Sequence, residues 1–266
     1  MRKIFEWVGG FAIVAFSFYF TDKVSLLVAS KSDLMQEIKA VSAEYEMKPV
    51  DAIIDDEANT IVPGQFGRKV NNQESYLSMH DFGSFNENYL VYDYVKPQKS
   101  LEDNKDKYIM SGNKNNRQVS LIVVDNDDVS KFLVESNIPF DQTTDGCNVE
   151  KANSLIELIN TSTSKDKFNA LSNRLKDKAK ICLKDKSDEV LCKKNGYYII
   201  DAHLKLTGTN LIEIKNALEP GSIILLTPTA KTENLKMILN EIEYKDLQIV
   251  HISKLIDEKE RGFEFR

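Results

Sequence analysis

From residue 119 onward the chain alternates short, continuous apolar runs with stretches of helical spacing, and this alternation narrows the available folds more than any other feature. Residues 119–124 read as a buried strand, and a helix is expected over 129–136, with Asp127 or Asp128 placed to cap it. Further strands are expected at 138–140, 179–183, 197–200, 223–226 and 249–252. Helices are expected near 149–159 (Leu155, Ile156 and Ile159 on one face), around Phe168, Leu171 and Leu175, and over 189–194, 211–218 and 233–242. Pro220-Gly221 ends one helix just before its strand. Strands separated by helices in this way lie parallel, so the expected class is α/β, a barrel or an open sheet.

Ahead of this region the texture differs. Arg2 and Lys3 precede an apolar run over 7–20, broken only by Gly9, Gly10 and Ser17. Taken over 4–27 the segment is long enough to cross a bilayer at a tilt, although its uninterrupted core is short of the roughly 20 residues of a spanning helix. Phe18, Tyr19 and Phe20 stand where cleavage of a signal peptide requires small residues. Residues 1–27 are therefore read as a signal anchor, with a cleaved signal peptide and a buried helix as the alternatives. Arg2 and Lys3 would stay inside the cell membrane and the bulk of the chain outside. Leu27, Leu34 and Val41, joined by Ile38 and Tyr45, form a helical stripe that Pro49 closes, a stalk helix over 28–48. The stripe serves either packing on its own domain or self-association. Over 49–116, apolar triplets such as 52–54 and 60–62 alternate with Pro63-Gly64, Gly67, Gly83 and Pro97, which reads as a small β-containing module, and 117–266 forms the remaining domain.

Composition excludes several function classes. With 35 Lys+Arg against 41 Asp+Glu the net charge is −6, so no nucleic-acid partner is expected. There is no phosphate-binding glycine loop, nucleophile elbow or CxxC pair. The three histidines, His80, His203 and His251, are too few for a histidine-rich metal site. Of these His251 lies in an apolar run and reads as structural, while His80, beside Asp81, has no assigned role. Of the three cysteines, Cys182 and Cys192 bracket nine residues that a disulfide between them would close; that pairing leaves Cys147 free, and other pairings stay open. The Lys- and Asp-rich run over 165–186 reads as a solvated helix face.

The order and spacing of several segments resemble a known family. Val119-Ser120-Leu121-Ile122-Val123-Val124-Asp125-Asn126-Asp127 is similar to the first strand and Asp-containing motif of polysaccharide deacetylases, the NodB-homology group. Asn137-Ile138-Pro139-Phe140 resembles the family's second strand, Gly221-Ser222-Ile223-Ile224-Leu225-Leu226 the strand that ends in a catalytic-site histidine, and Val250-His251-Ile252-Ser253 the final strand and helix start. The resemblance covers about 117–258 and implies an irregular (β/α) barrel. Active members remove acetyl groups from cell-wall or capsule glycans. They hold a divalent metal with one Asp and two His at the carboxyl ends of the strands, and a second Asp acts as general base.

This chain departs from that pattern. Val124 and Asp125 stand where the family has paired aspartates, so a ligand-type carboxylate remains and the base is a valine. Asn160-Thr161-Ser162-Thr163-Ser164-Lys165 stands where the two histidines belong, and Thr227 where the later histidine belongs. Two readings from different classes follow, with a third behind them. The first is a membrane-anchored exterior pseudoenzyme with no cofactor, which binds a cell-wall or capsule glycan or an envelope protein. The second is a working carbohydrate deacetylase with an unorthodox, zinc-like metal site on Asp125 and Asp127, with Asp128 nearby and Asp201, His203 and Thr227 as further rim candidates. The third is an envelope scaffold acting through residues 31–116.

Overall fold

The structure is a computed structural model, and it describes residues 30–145, 153–175 and 180–259. The anchor expected over 4–27 lies outside the described residues, as does Cys147. Among the described residues, no helix is long and apolar enough to cross a membrane.

The chain begins with α1 (Asp33–Tyr45), β1 (Ile53–Asp55), β2 (Thr60–Val62), β3 (Gly67–Val70), α2 (Asn72–Met79), β4 (Tyr92–Val95) and β5 (Tyr108–Ile109). Next come β6 (Gln118–Val123), α3 (Asp127–Glu135), β7 (Phe140–Thr144), β8 (Ile156–Asn160), α4 (Lys165–Leu175), β9 (Ile181–Leu183) and α5 (Glu189–Lys194). It continues with β10 (Tyr198–Ile200), β11 (Leu204–Leu206), α6 (Leu211–Ala217), β12 (Ile223–Leu226), α7 (Thr232–Tyr244), β13 (Gln248–Ile249) and α8 (Ile252–Leu255). These elements fall into two units, Met1–Lys48 with Gly67–Val95, and Pro49–Phe66 with Lys96–Arg266.

In the smaller unit, Ser32 caps α1 by accepting from the Met35 amide at 3.2 Å, and Asn71 caps α2 by accepting from Glu74 at 3.0 Å. Leu34 and Ile38 from the expected stripe are buried with Val70, Met79 and Leu90. The stripe therefore supplies the unit's own core. Beside it β3 and β4 form an antiparallel pair.

In the larger unit the strand order is β1-β2-β5-β10-β9-β8-β7-β6-β12-β11, with β13 also paired to β6. The pairing of β1 with β2 is antiparallel and the others are parallel. This mixed sheet curls into a half-barrel with β1 and β11 as its ends. Residues alternate across it with period two, as strands buried on both faces require. Val119, Leu121 and Val123 of β6 join Val129 and Leu133 of α3 and Leu235, Ile238 and Ile242 of α7 in one core. Ile122 and Val124 point the other way, to Ile200, Ile223 and Leu225 and to Ile252, Leu255 and Ile256 around α8. Leu121 and Ile122 expose none of their surface. Truncating one such side chain to alanine costs about 2–5 kcal/mol.

Several expectations are corrected. The boundary does not fall at residue 117, because β1, β2 and β5 belong to the same sheet as β6–β13. These strands are two or three residues long, and what makes them strands is pairing with distant partners: Ile109 lies opposite both Ile61 and Ile200. The helix expected near 149–159 is replaced at its end by β8. Its run of Leu155, Ile156, Leu158 and Ile159 fits a strand buried on both faces as well as a helix face. The cap of α3 is Asn126, whose Oδ1 accepts from Val129 N at 3.1 Å, in place of Asp127 or Asp128.

Close backbone contact accounts for the glycine at 221. Gly221, at φ +85°, receives a hydrogen bond from Gly112 N at 2.8 Å, and a Cβ on it would sit 2.5 Å from Gly112 O. Cys182 of β9 and Cys192 of α5 are joined by a disulfide and buried with Phe168 and Tyr197. Closing so short a loop stabilises the fold by about 2–3 kcal/mol. Reduction, or the double replacement Cys182→Ser/Cys192→Ser, is expected to lower unfolding free energy by that amount in urea titrations run with and without reductant.

Candidate functional site

The carboxyl ends of the parallel strands, where α/β folds place their sites, bring together residues 124–127 after β6, Asn160–Ser162 at the end of β8, Lys184 after β9, Asp201 after β10 and Thr227 after β12. Each is fixed by a local reason. Val124 continues the inward face of β6, is buried, and donates its amide to Leu226 O at 3.0 Å. Asp125 turns the chain out of the strand with φ +46°, a left-handed conformation that Asp tolerates better than most side chains, and it is exposed. Asp127 and Asp128, also exposed, occupy the first turn of α3, where carboxylates complement the helix dipole.

Most polar groups that remain at this rim are committed to the protein itself, while the buried Nδ2 of Asn160 has no hydrogen-bond partner. Asn126 Nδ2 donates to Thr227 O at 2.9 Å and to Ala230 O at 3.0 Å. The Thr227 hydroxyl donates to Leu206 O at 2.8 Å and shares a hydrogen bond with Thr229 Oγ1 at 3.1 Å. Asn160, fully buried, accepts from Ser162 N through Oδ1 at 2.8 Å, and its carbonyl accepts from Ser187 Oγ at 2.7 Å. Ser162 Oγ donates to Asp145 O at 3.3 Å. Thr143 Oγ1 donates to Val123 O at 3.2 Å. Amides and hydroxyls here hold strand ends to one another and do not point at a common centre.

Asp201 and His203 do not share a strand, because β10 ends at Ile200 and both lie in the connection to β11. Asp201 Oδ2 accepts from Lys184 Nζ at 2.7 Å, while His203 is exposed. That hydrogen bond raises the Lys184 pKa above its ordinary value. Lys184 also lies over the Tyr108 ring, 4.4 Å from its centroid, and the Tyr108 hydroxyl donates to Glu189 at 2.6 Å, which raises the tyrosine pKa. The rim candidates thus form separate structural pairs rather than one site. Among the described residues, Asp125, Asp127, Asp201 and His203 belong to no converging group of three metal-ligating side chains.

A cavity of about 310 Å³ opens at the opposite, amino ends of β9 and β10, lined in part by Phe66, Leu101, Lys180, Tyr198 and Ile256. Its wall includes Glu258, nearly buried, which accepts from Gly64 N at 2.8 Å and Leu101 N at 2.9 Å, and burial raises its pKa. The sequence reading missed this end of the sheet, including Asp141 and Glu157, which lie near His251. Glu157 is a lone acid within the apolar run 155–159, whereas Asp141 is followed by the polar residues Gln142, Thr143 and Thr144.

Comparison with known proteins follows this geometry. A crystal structure of wild-type BA3943, described as a CE4 family pseudoenzyme from Bacillus anthracis, superposes with a TM-score of 0.57 at 22% identity, covering 86% of this chain and 96% of that one. The chain shares the fold of that CE4 family pseudoenzyme. A BA3943 mutant described as having restored enzymatic activity gives a TM-score of 0.56 at 22% identity, covering 85% of this chain and 98% of that one. An uncharacterized Bacillus subtilis (strain 168) protein, YlxY, is 39% identical over 97 residues, 36% of this chain and 30% of that relative, so the match spans under a third of its length. No family model matches the sequence.

The metal site implied by the deacetylase fold, one Asp with two His, does not fit this rim. Asp125 supplies one exposed carboxylate, Asn160 and Thr227 are spent on backbone groups, and the base position is the buried Val124. Asn126→Ala is expected to cost about 2–3 kcal/mol, since it removes a helix cap and two carbonyl partners together. Guanidinium unfolding of wild type and variant measures this directly.

Proposed function

We propose that this chain is a catalytically inactive, deacetylase-like protein that acts by binding cell-envelope carbohydrate on the outer side of a membrane. The observation that carries the reading is the rim: where a deacetylase needs ligands and a base, this chain has Val124 in the core and Asn160 and Thr227 bonded to their own backbone. Metal-assisted hydrolysis requires a cation to polarise the acetyl carbonyl and a base to take a proton from water. These residues offer neither function. The fold shared with a CE4 family pseudoenzyme supports the same reading. The placement outside the membrane rests on Arg2 and Lys3 ahead of the apolar run and on the Cys182–Cys192 disulfide, which suits an oxidising compartment.

The test is acetate release from acetylated chitin oligomers and peptidoglycan fragments, alongside co-sedimentation of the protein with insoluble peptidoglycan. No release above buffer, with or without added zinc, and retention on the glycan are expected. Release abolished by Asp125→Ala would overturn inactivity, and failure to co-sediment would overturn glycan binding.

A further inference from the structure

Away from the carboxyl rim, the amino halves of β7 and β8 carry a second group of polar side chains. Asp141 and Glu157 are register partners in the β7–β8 ladder, and His251 stands just before α8. One ligand atom from each lies within 4.8 Å of the others.

The hydrogen bonding around this group is incomplete in a specific way. Asp141 exposes none of its surface, and its Oδ2 accepts from Ser120 Oγ and from Ile252 N, both at 2.9 Å. Its Oδ1 has no hydrogen-bond partner and lies 3.6 Å from His251 Nδ1, too far for a good hydrogen bond. Glu157 Oε2 and His251 Nδ1 are likewise buried without hydrogen-bond partners. On the far side of the ring, His251 Nε2 is 3.2 Å from Ser154 O. A carbonyl can only accept, so Nε2 carries a proton, and in the neutral form of the ring the lone pair of Nδ1 faces the carboxylates.

With the ring neutral and both acids ionised, three lone-pair donors face one another in a largely buried space. Left so, two carboxylates and a bare imidazole nitrogen repel one another and lose their hydration, which is costly at this depth. A proton shared by Asp141 and His251 serves that pair and leaves Glu157 Oε2 unsatisfied. A divalent cation satisfies all three atoms and cancels both carboxylate charges. Imidazole with two carboxylates is a donor set suited to zinc and similar transition ions. An imidazole held by its other N–H on a backbone carbonyl is the usual posture of a metal-ligating histidine. Metal–ligand bonds of about 2.1 Å put ligand atoms about 3.4 Å apart in a tetrahedral site, so the group needs to contract by no more than about 1.4 Å from its 4.8 Å limit.

We propose that Asp141, Glu157 and His251 form a divalent transition-metal site, zinc being the first candidate, which clamps β7, β8 and the segment entering α8 at the amino end of the sheet. The site is independent of the reading of the opposite rim, and water completes its coordination. Because the ligands come from positions far apart in sequence, binding would stabilise the folded state.

The experiment titrates zinc chloride into the chelator-treated full chain by calorimetry and follows thermal unfolding with and without one equivalent. Wild type is expected to bind one zinc ion and unfold at a higher temperature with it, and Glu157→Gln and His251→Gln each to weaken that binding at least tenfold while folding normally by circular dichroism. Asp141→Asn is the weaker probe, since its Oδ2 also holds Ser120 and Ile252. The ring nitrogens of His251, followed by NMR, are expected to report zinc on Nδ1. No binding, or binding equally tight in both variants, would overturn the assignment.

Discussion

A fully buried carboxylate organises the centre of the larger unit. Asp141 Oδ2 takes a hydroxyl hydrogen from Ser120 on β6 and an amide hydrogen from Ile252 at the start of α8, so one side chain ties two neighbouring strands to the segment that fills the inner face of the half-barrel. A carboxylate enclosed by the sheet loses its water, and burial accordingly pushes the Asp141 pKa upward against the opposing pull of His251 and the Ile252 amide. His251 answers from the other side: burial acts to lower its pKa and is outweighed by Asp141, leaving it above the ordinary value. Such a pair persists only where the surrounding core holds it in place. Here the inner-face core of Ile122, Ile200, Ile223 and Leu255 does so.

That arrangement gives the two ends of the sheet different characters. At the carboxyl ends, most polar groups of Asn126, Asn160, Ser162 and Thr227 are consumed in short hydrogen bonds, Asn160 Nδ2 being left without a partner, and the sole acid before α3, Asp125, faces solvent. At the amino ends, polar groups converge and remain unsatisfied. Unused ligating capacity therefore lies opposite the rim where this fold places its chemistry. At the carboxyl rim, side chains secure the chain's own strand ends, as the Thr227 hydroxyl secures β11 through Leu206.

Much of the larger unit was legible because its signals are local. The apolar run of β6, the spacing of Leu235, Ile238 and Ile242 in α7 and the Pro220-Gly221 break before β12 each depend on near neighbours. The loss of the usual deacetylase ligands was equally readable, since the resemblance aligned Val124, Asn160 and Thr227 with positions that need acid or imidazole. Elements defined only by partners were misread. β8 was taken as part of a helix because a run buried on both faces carries no period, and β1, β2 and β5 were assigned to a separate module because strands so short exist only through pairing. The significance of Asp141 and Glu157 likewise lies in pairing, and appears only when Glu157 comes opposite Asp141.

By itself the sequence determined the alternation of strands and helices, the deacetylase-like order of the segments and the absence of the family's histidines, all of which are written in residue type and spacing along one stretch of chain. Tertiary structure alone decided where the larger unit begins, which way each acid faces and which groups meet. Those properties come from pairing across the sheet: Ile109 joins a strand from residue 61 to one from residue 200, and Asp141 meets His251 across 109 intervening positions. No local pattern encodes such contacts, because they exist only once both faces of the sheet are buried.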